Sequence, residues 1–204
     1  METFLFALGG YLVGSIPVAY LLTRKRNGID LRKEGSGNIG ARNAYEVTGN
    51  KRLGVVVLLL DMHKGIIPLV ILSKIGFCGM IPYVAVTIVL GHCYPIWLKF
   101  HGGRGLATGA AIAILVSPVT FICWILVYFL SGLLKKQVQL QSLLATITSI
   151  LFVLVTNNSP SVYTRRFICL EDEYVFQFSA IAILCIILSR HVQPVYELFR
   201  RAKA

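Results

Sequence analysis

Residues 53–73 read LGVVVLLLDMHKGIIPLVILS, a largely apolar stretch whose only formal charges are Asp61 and Lys64. As a helix rising about 1.5 Å per residue it would be about 30 Å long, the thickness of a bilayer's hydrocarbon core. A large soluble core could also bury such a run, but the whole chain argues otherwise. Of its 204 residues 56% are hydrophobic and 14% charged, with mean hydropathy +0.72; soluble domains run near about 45–50% and 25%. Further apolar runs lie at 4–23, 79–98, 106–117, 119–133, 140–155 and 175–188. The pattern predicts an all-α integral membrane protein of about seven short transmembrane helices. Several runs are short for a full crossing and imply tilt or half-helices. No long polar linker divides the chain, so residues 1–204 read as a single membrane-embedded domain.

The charges orient these runs. With the N-terminus outside and seven crossings, inner segments hold sixteen Lys and Arg and outer segments three. One kinked helix across Ser117-Pro118 would reverse every later loop and leave twelve against seven, so the positive-inside rule favours seven crossings. The C-terminus is then cytoplasmic. The first run lacks a basic n-region, and Arg24, Lys25 and Arg26 follow it rather than precede it. That order is the reverse of a signal peptide's and reads as a first membrane helix. The net charge of +11 sits between apolar runs, which favours anionic membrane lipids over nucleic acid as the partner. Residues 156–174, with the acidic run Glu171-Asp172-Glu173, read as a short outer hairpin. Cys78, Cys93, Cys123, Cys169 and Cys185 are odd in number and lack a close pair. Neither a metal site nor a disulfide is expected of them.

Two glycine-rich segments face the inner side. The first runs from Gly35 through Ser36, Gly37, Asn38, Ile39, Gly40, Ala41 and Arg42 to Asn43. Glycines let backbone N–H groups converge on an anion. Ser36, Asn38 and Asn43 add neutral donors, and Arg42 adds a fork suited to phosphate. The alternative is a flexible juxtamembrane loop touching anionic lipid. The second segment runs from His92 to Gly109, with Gly102, Gly103 and Gly105 surrounding Arg104 just before an apolar helix. A helix N-terminus favours an anion, while a plain inter-helix turn is the simpler reading. Two such segments on one face suit two phosphates. Asp61 and Lys64, three apart, share a helical face and can pair; His63 and Pro68 suggest a break in that helix. His92 is a candidate ligand donor, although histidine at such a position is more often a packing residue.

At these residues the sequence resembles the acyl-phosphate-dependent glycerol-3-phosphate acyltransferase family of bacterial membranes. The resemblance covers nearly the whole chain: Gly14-Ser15-Ile16-Pro17, Gly35 to Gly49, Asp61 to Gly65, His92 to Gly109, and Arg190-His191. It implies seven membrane helices and an active site at the cytoplasmic face of the cell membrane. It also implies transfer of a fatty acyl group from acyl phosphate to the 1-hydroxyl of glycerol 3-phosphate, the first acylation of phospholipid synthesis. No cofactor or metal is implied, and a monomer is expected. Carried onto this chain, Ser36, Asn38, His92 and Arg104 become the catalytic candidates. Gly37, Gly40, Arg42, Asn43, Gly102, Gly103, Gly105, Thr108, Ser142 and His191 become substrate-binding candidates.

The residues fit that chemistry. A Gly-x-Ser-x-Gly elbow is absent, and neither His92 nor His101 has an aspartate five places on. Direct transfer without an acyl-enzyme follows, with positioning and oxyanion donors supplying the rate and a substrate phosphate as base. Three positions depart from the family's usual pattern. Arg104 replaces a lysine, Glu46 an arginine that contacts phosphate, and Val192-Gln193-Pro194-Val195 an Arg-Glu-Asn-Ile run. Two further readings stay open: a transporter or binder of a small phosphorylated anion, which the two cradles and a broken second helix would also suit, and an inactive or substrate-shifted paralogue, which Glu46 and Pro194 suggest.

Overall fold

In the computed structural model, residues 1–134, 137–156, 169 and 173–202 are described, and regular structure among them is helical. The order is α1 (Glu2–Gly14), α2 (Val18–Asn27), α3 (Ala41–Thr48), α4 (Lys51–Lys74), α5 (Ile81–Cys93), α6 (Leu106–Val116), α7 (Pro118–Leu134), α8 (Val138–Thr156) and α9 (Glu173–Ala202). Short 3-10 turns lie at Cys78–Met80 and Ile96–Leu98. Five helical spans are long and apolar enough to cross a membrane: Glu2–Asn27, Lys51–Lys74, Cys78–Leu98, Val138–Thr156 and Tyr174–Glu197. Leu106–Val116 and Pro118–Leu134 are shorter apolar helices. Many large apolar side chains, such as Phe129, Leu133 and Val155, are turned outward, as expected of a multi-pass protein in lipid.

Several boundaries differ from the sequence reading. The first run is broken between Gly14 and Val18, because Pro17 lacks an N–H and disfavours the helical conformation at Ile16. The freed Ile16 carbonyl accepts from Lys64 Nζ at 3.2 Å. The expected break in 53–73 does not occur: α4 stays continuous through Pro68, which a membrane helix tolerates. The third run ends at Cys93, and the last continues past Leu188 to Ala202 with Pro194 inside it. At Ser117-Pro118 the chain forms two helices, α6 packing mainly on α4 and α7 on α8. The outer hairpin expected at 156–174 falls largely outside the described residues. So do Lys135, Lys136, Arg165 and Arg166 of the charge count.

Small residues set the closest approaches. A Cβ on Gly14 of α1 would strike the Ile88 carbonyl of α5, and one on Gly91 of α5 would strike the Tyr11 carbonyl of α1. The two backbones cross there at the contact distance that only glycine permits. Leu69, Ile88, Val89, Ile112, Val116 and Phe176 belong to the main core between α4, α5, α6 and α9. A second cluster at the other end holds Leu31, Ile39, Ala44, Leu53, Val57 and Leu98. It pins the first glycine-rich loop against α3 and α4.

One expectation about the cysteines is overturned. Cys78, just after α4, is disulfide-bonded to Cys169, just before α9. The partners are 91 residues apart, and no spacing motif brings them together; only the packing of α4, α5 and α9 does. Cys93, Cys123 and Cys185 are free.

Candidate active site

The first glycine-rich segment is a loop only as far as Gly40. Gly40 is extended, and α3 starts at Ala41, so Arg42 and Asn43 stand on its first turn. Gly35 and Gly37 have φ of +58° and +68°, a conformation open to glycine at little cost. Asn43 is 1% exposed and wholly engaged. Its Oδ1 accepts from the Ser36 N–H at 2.9 Å, and its Nδ2 donates to the Leu31 and Glu34 carbonyls. Its role is to hold the loop's shape. The loop's approach is fixed by Asp30, which binds Arg32 at 2.6 Å, and Arg32 lies over the Tyr20 ring. Those hydrogen bonds hold the Asp30 carboxyl down at about 2. Ser36 is exposed and Asn38 half-buried.

Arg42 is not free. Its Nε donates to Glu46 Oε1 at 2.7 Å, one turn on along α3. The sequence reading placed Arg42 in an irregular loop, where an i,i+4 pair is invisible; the early start of α3 creates it. The negative charge of Glu46 is thus partly neutralised by Arg42.

The second segment forms a tight turn between α5 and α6. Gly103 N–H donates to the His92 carbonyl at 3.0 Å. A Cβ at Gly102 would strike that same carbonyl, and one at Gly103 would strike His92 Nε2. Gly105, at φ +78°, caps α6. Arg190 of α9 donates to the Gly102 and Gly103 carbonyls, at 2.9 and 3.2 Å, and lies over the Tyr94 ring. Tyr94 itself bonds Ser189, and Trp97 Nε1 donates to Ser15 Oγ at the α1–α2 break. The turn is therefore fastened from both sides.

Beneath it lies a buried polar cluster. Lys64 Nζ is 2.9 Å from Asp61 Oδ1, so the expected pair forms. Thr108 Oγ1 donates to the Asp61 carbonyl at 3.0 Å and lies 3.4 Å from His92 Nδ1. Because the threonine proton is committed, His92 Nδ1 carries the hydrogen and directs it towards Thr108 Oγ1 and Asp61 Oδ1, 3.6 Å away. His92 Nε2 then presents a lone pair beneath Gly103. Thr108, fully buried, supports His92 rather than lining an open surface.

Arg104 is different. No acceptor among the described residues takes a hydrogen bond from it. Burial holds its pKa below the ordinary value, followed by the charges of Arg42 and Arg190, with Glu46 opposing. His191 is fully buried within electrostatic reach of Arg104 and Arg190. Its Nδ1 donates to the Ile187 carbonyl at 2.8 Å, and its Nε2 has no partner among the described residues. The second glycine segment thus meets α9 at Arg190, and Arg104 within it lies in electrostatic reach of both Arg190 and Arg42 of α3. Ser142 stands apart: buried in α8, it donates to the Val138 carbonyl at 2.8 Å. No hydrogen bond joins it to the other candidates among the described residues. Arg190 was not among the candidates, although a cation closing an apolar run beside His191 was a readable signal. No group of three metal-ligating side chains occurs among the described residues.

A family model described as glycerol-3-phosphate acyltransferase matches residues 4–201. The glycerol-3-phosphate acyltransferase of Syntrophotalea carbinolica is 39% identical over 170 residues, 82% of this chain and 86% of its own. That of Myxococcus xanthus is 44% identical over 143 residues, 69% and 74% of the two chains. The fold is similar to the crystal structure of PlsY, an integral membrane glycerol 3-phosphate acyltransferase, in its glycerol 3-phosphate form. The TM-score is 0.77 and the identity 34%, covering 98% of this chain and 93% of that one. Its lysophosphatidic acid form gives a TM-score of 0.76 and 32% identity, with the same coverage. Matched along nearly its whole length, the chain belongs to the glycerol-3-phosphate acyltransferase family.

Proposed function

We propose that this protein transfers a fatty acyl group from acyl phosphate to the 1-hydroxyl of glycerol 3-phosphate, giving lysophosphatidic acid and inorganic phosphate. The observation that carries the reading is Arg104, which donates to no acceptor among the described residues and lies in electrostatic reach of Arg42 and of Arg190, the residue that fastens the neighbouring glycine turn. Like charges of this kind repel until an anion bridges them. Both substrates of the reaction bring a phosphate. Arg104 offers a guanidinium fork to one of them. The 1-hydroxyl oxygen attacks the acyl carbonyl, the bond to phosphate breaks, and the hydroxyl proton passes to a phosphate oxygen. Inorganic phosphate is a good leaving group, so positioning supplies much of the rate. Ser36 and Asn38 are the open donors of the first loop and are assigned to the substrate side.

An apolar cavity of 100 Å³ between α5, α6, α7 and α9 supports a fatty donor. Its rim residues Leu106 and Ile187 lie one turn or less from Gly105 and His191. Seven crossings, with the N-terminus outside and the site at the cytoplasmic face, follow from the charge bias. The deciding experiment incubates purified protein with acyl phosphate and glycerol 3-phosphate and looks for lysophosphatidic acid. Absence of product across acyl chain lengths would refute the reading. The Arg42–Glu46 pair favours one variant of it, a shifted acceptor preference, which the same assay with other polyol phosphates reads out.

A further inference from the structure

We propose that Cys78 and Cys169 form a maintained disulfide on the extracytoplasmic side, a covalent clasp joining the ends of α4 and α5 to the entry of α9. The two Cα atoms are 5.3 Å apart, within the range a disulfide needs. A second anchor holds the same position. Cys169 N–H donates to Ser73 Oγ at 3.2 Å, and Ser73 Oγ lies 3.4 Å from Cys169 Sγ. Cys169 also packs against the main core, and the neighbouring Phe77 ring sits 4.9 Å from Phe6 of α1. The clasp therefore gathers the same ends of α1, α4, α5 and α9.

Its location gives it meaning. α4 runs for 24 residues from Lys51, beside α3 and the glycine loop, to Lys74, beside Cys78. At about 1.5 Å per residue that is about 36 Å, more than the hydrocarbon core. The clasp and the first glycine-rich loop therefore lie at opposite ends of a helix long enough to cross the membrane. Disulfides persist in oxidising compartments and are reduced in the cytosol. The clasp end is then outside and the glycine-loop end inside, a conclusion that uses no charge count and does not depend on acyl transfer.

Formation is an ordinary exchange. The Cys78 thiolate attacks the disulfide of an extracytoplasmic thiol oxidoreductase, and the Cys169 thiolate then displaces the mixed disulfide. The two cysteines lose two electrons and two protons, and the oxidoreductase is left as a dithiol. Joined across 91 residues, the link restricts a large part of the unfolded chain.

The test uses the full chain in bacterial membranes. Intact cells are treated with a membrane-impermeant maleimide, before or after an impermeant phosphine reductant, and the peptides are mapped by mass spectrometry without reduction. We expect a Cys78–Cys169 cross-linked peptide, with both residues labelled from outside only after reduction. Free, alkylated Cys78 and Cys169 in unreduced cells would overturn the proposal, as would labelling confined to inverted vesicles. In detergent, full reduction of the wild type is expected to lower Tm by several degrees. The C78S/C169S variant should start at that lower value and not respond to reductant. An unchanged wild-type Tm after verified reduction would refute the clasp's structural role. None of these readouts involves acyl transfer, so this proposal and the functional one fail separately.

Discussion

Arg104 is half-buried among like charges with no acceptor among the described residues, so its charge is available to a ligand. Arg104→Ala should lower kcat/KM by on the order of 100-fold, the range for losing one well-placed donor. Arg104→Lys should retain part of the activity, since it keeps the charge and loses the planar fork. A loss no larger than that of Arg24→Ala, an exposed cation on α2, would show that the anion site is misplaced. Glu46 is the opposite case, a carboxylate occupying Arg42 at 2.7 Å. Glu46→Gln should free Arg42 and lower KM for glycerol 3-phosphate about 5-fold, equivalent to about 1 kcal/mol, with little change in kcat. A KM that rises would mean the carboxylate itself positions substrate.

Among the elements, the α1–α5 crossing depends on glycine at the contact. A Cβ on Gly91 would strike the Tyr11 carbonyl and sit 2.8 Å from Ser15 N, whereas one on Gly9 would meet nothing within 4 Å. Gly91→Ala should therefore cost about 1–3 kcal/mol, seen as a lower Tm, while Gly9→Ala leaves Tm unchanged or slightly raised. Equal effects would show that the crossing is looser than drawn. The cavity between α5, α6, α7 and α9 belongs to the same scale. Ala113→Phe, on its wall, should shift the preferred donor to shorter acyl chains. Gly9→Phe, in the separate groove between α1 and α4, serves as the control. The shift moving to Gly9→Phe would place the chain between α1 and α4 instead. The helices themselves were readable as apolar runs. Their breaks were less so, because Pro17 and Pro68 look alike in sequence. Pro17 follows a freed carbonyl that Lys64 takes up from α4, while α4 passes through Pro68 unbroken.

For the molecule as a whole, an end where Arg104 has no acceptor among the described residues should be stabilised by any anion that fits it. Inorganic phosphate should raise Tm of the wild type, by the equivalent of about 2.7 kcal/mol at 100 times its Kd, and have little effect on Arg104→Ala. An equal rise in both would mean a general salt effect. The sequence by itself determined that the chain lies in a membrane and carries two glycine segments, because burial in lipid demands long apolar runs and close backbone approach demands glycine. It also made the family legible, through the joint motif at Gly35–Asn43 and His92–Gly109. Only the tertiary structure decided which polar groups remain free. Thr108 is spent on the Asp61 carbonyl, Asn43 on its own loop, Arg42 on Glu46 and Arg190 on Gly102 and Gly103, while Arg104 is left open. Hydrogen-bond partners are set by which side chains meet across helices, and residue types alone leave those meetings undetermined. The Cys78–Cys169 bond followed the same logic, since two cysteines 91 residues apart become partners only when α4, α5 and α9 share one end of the bundle.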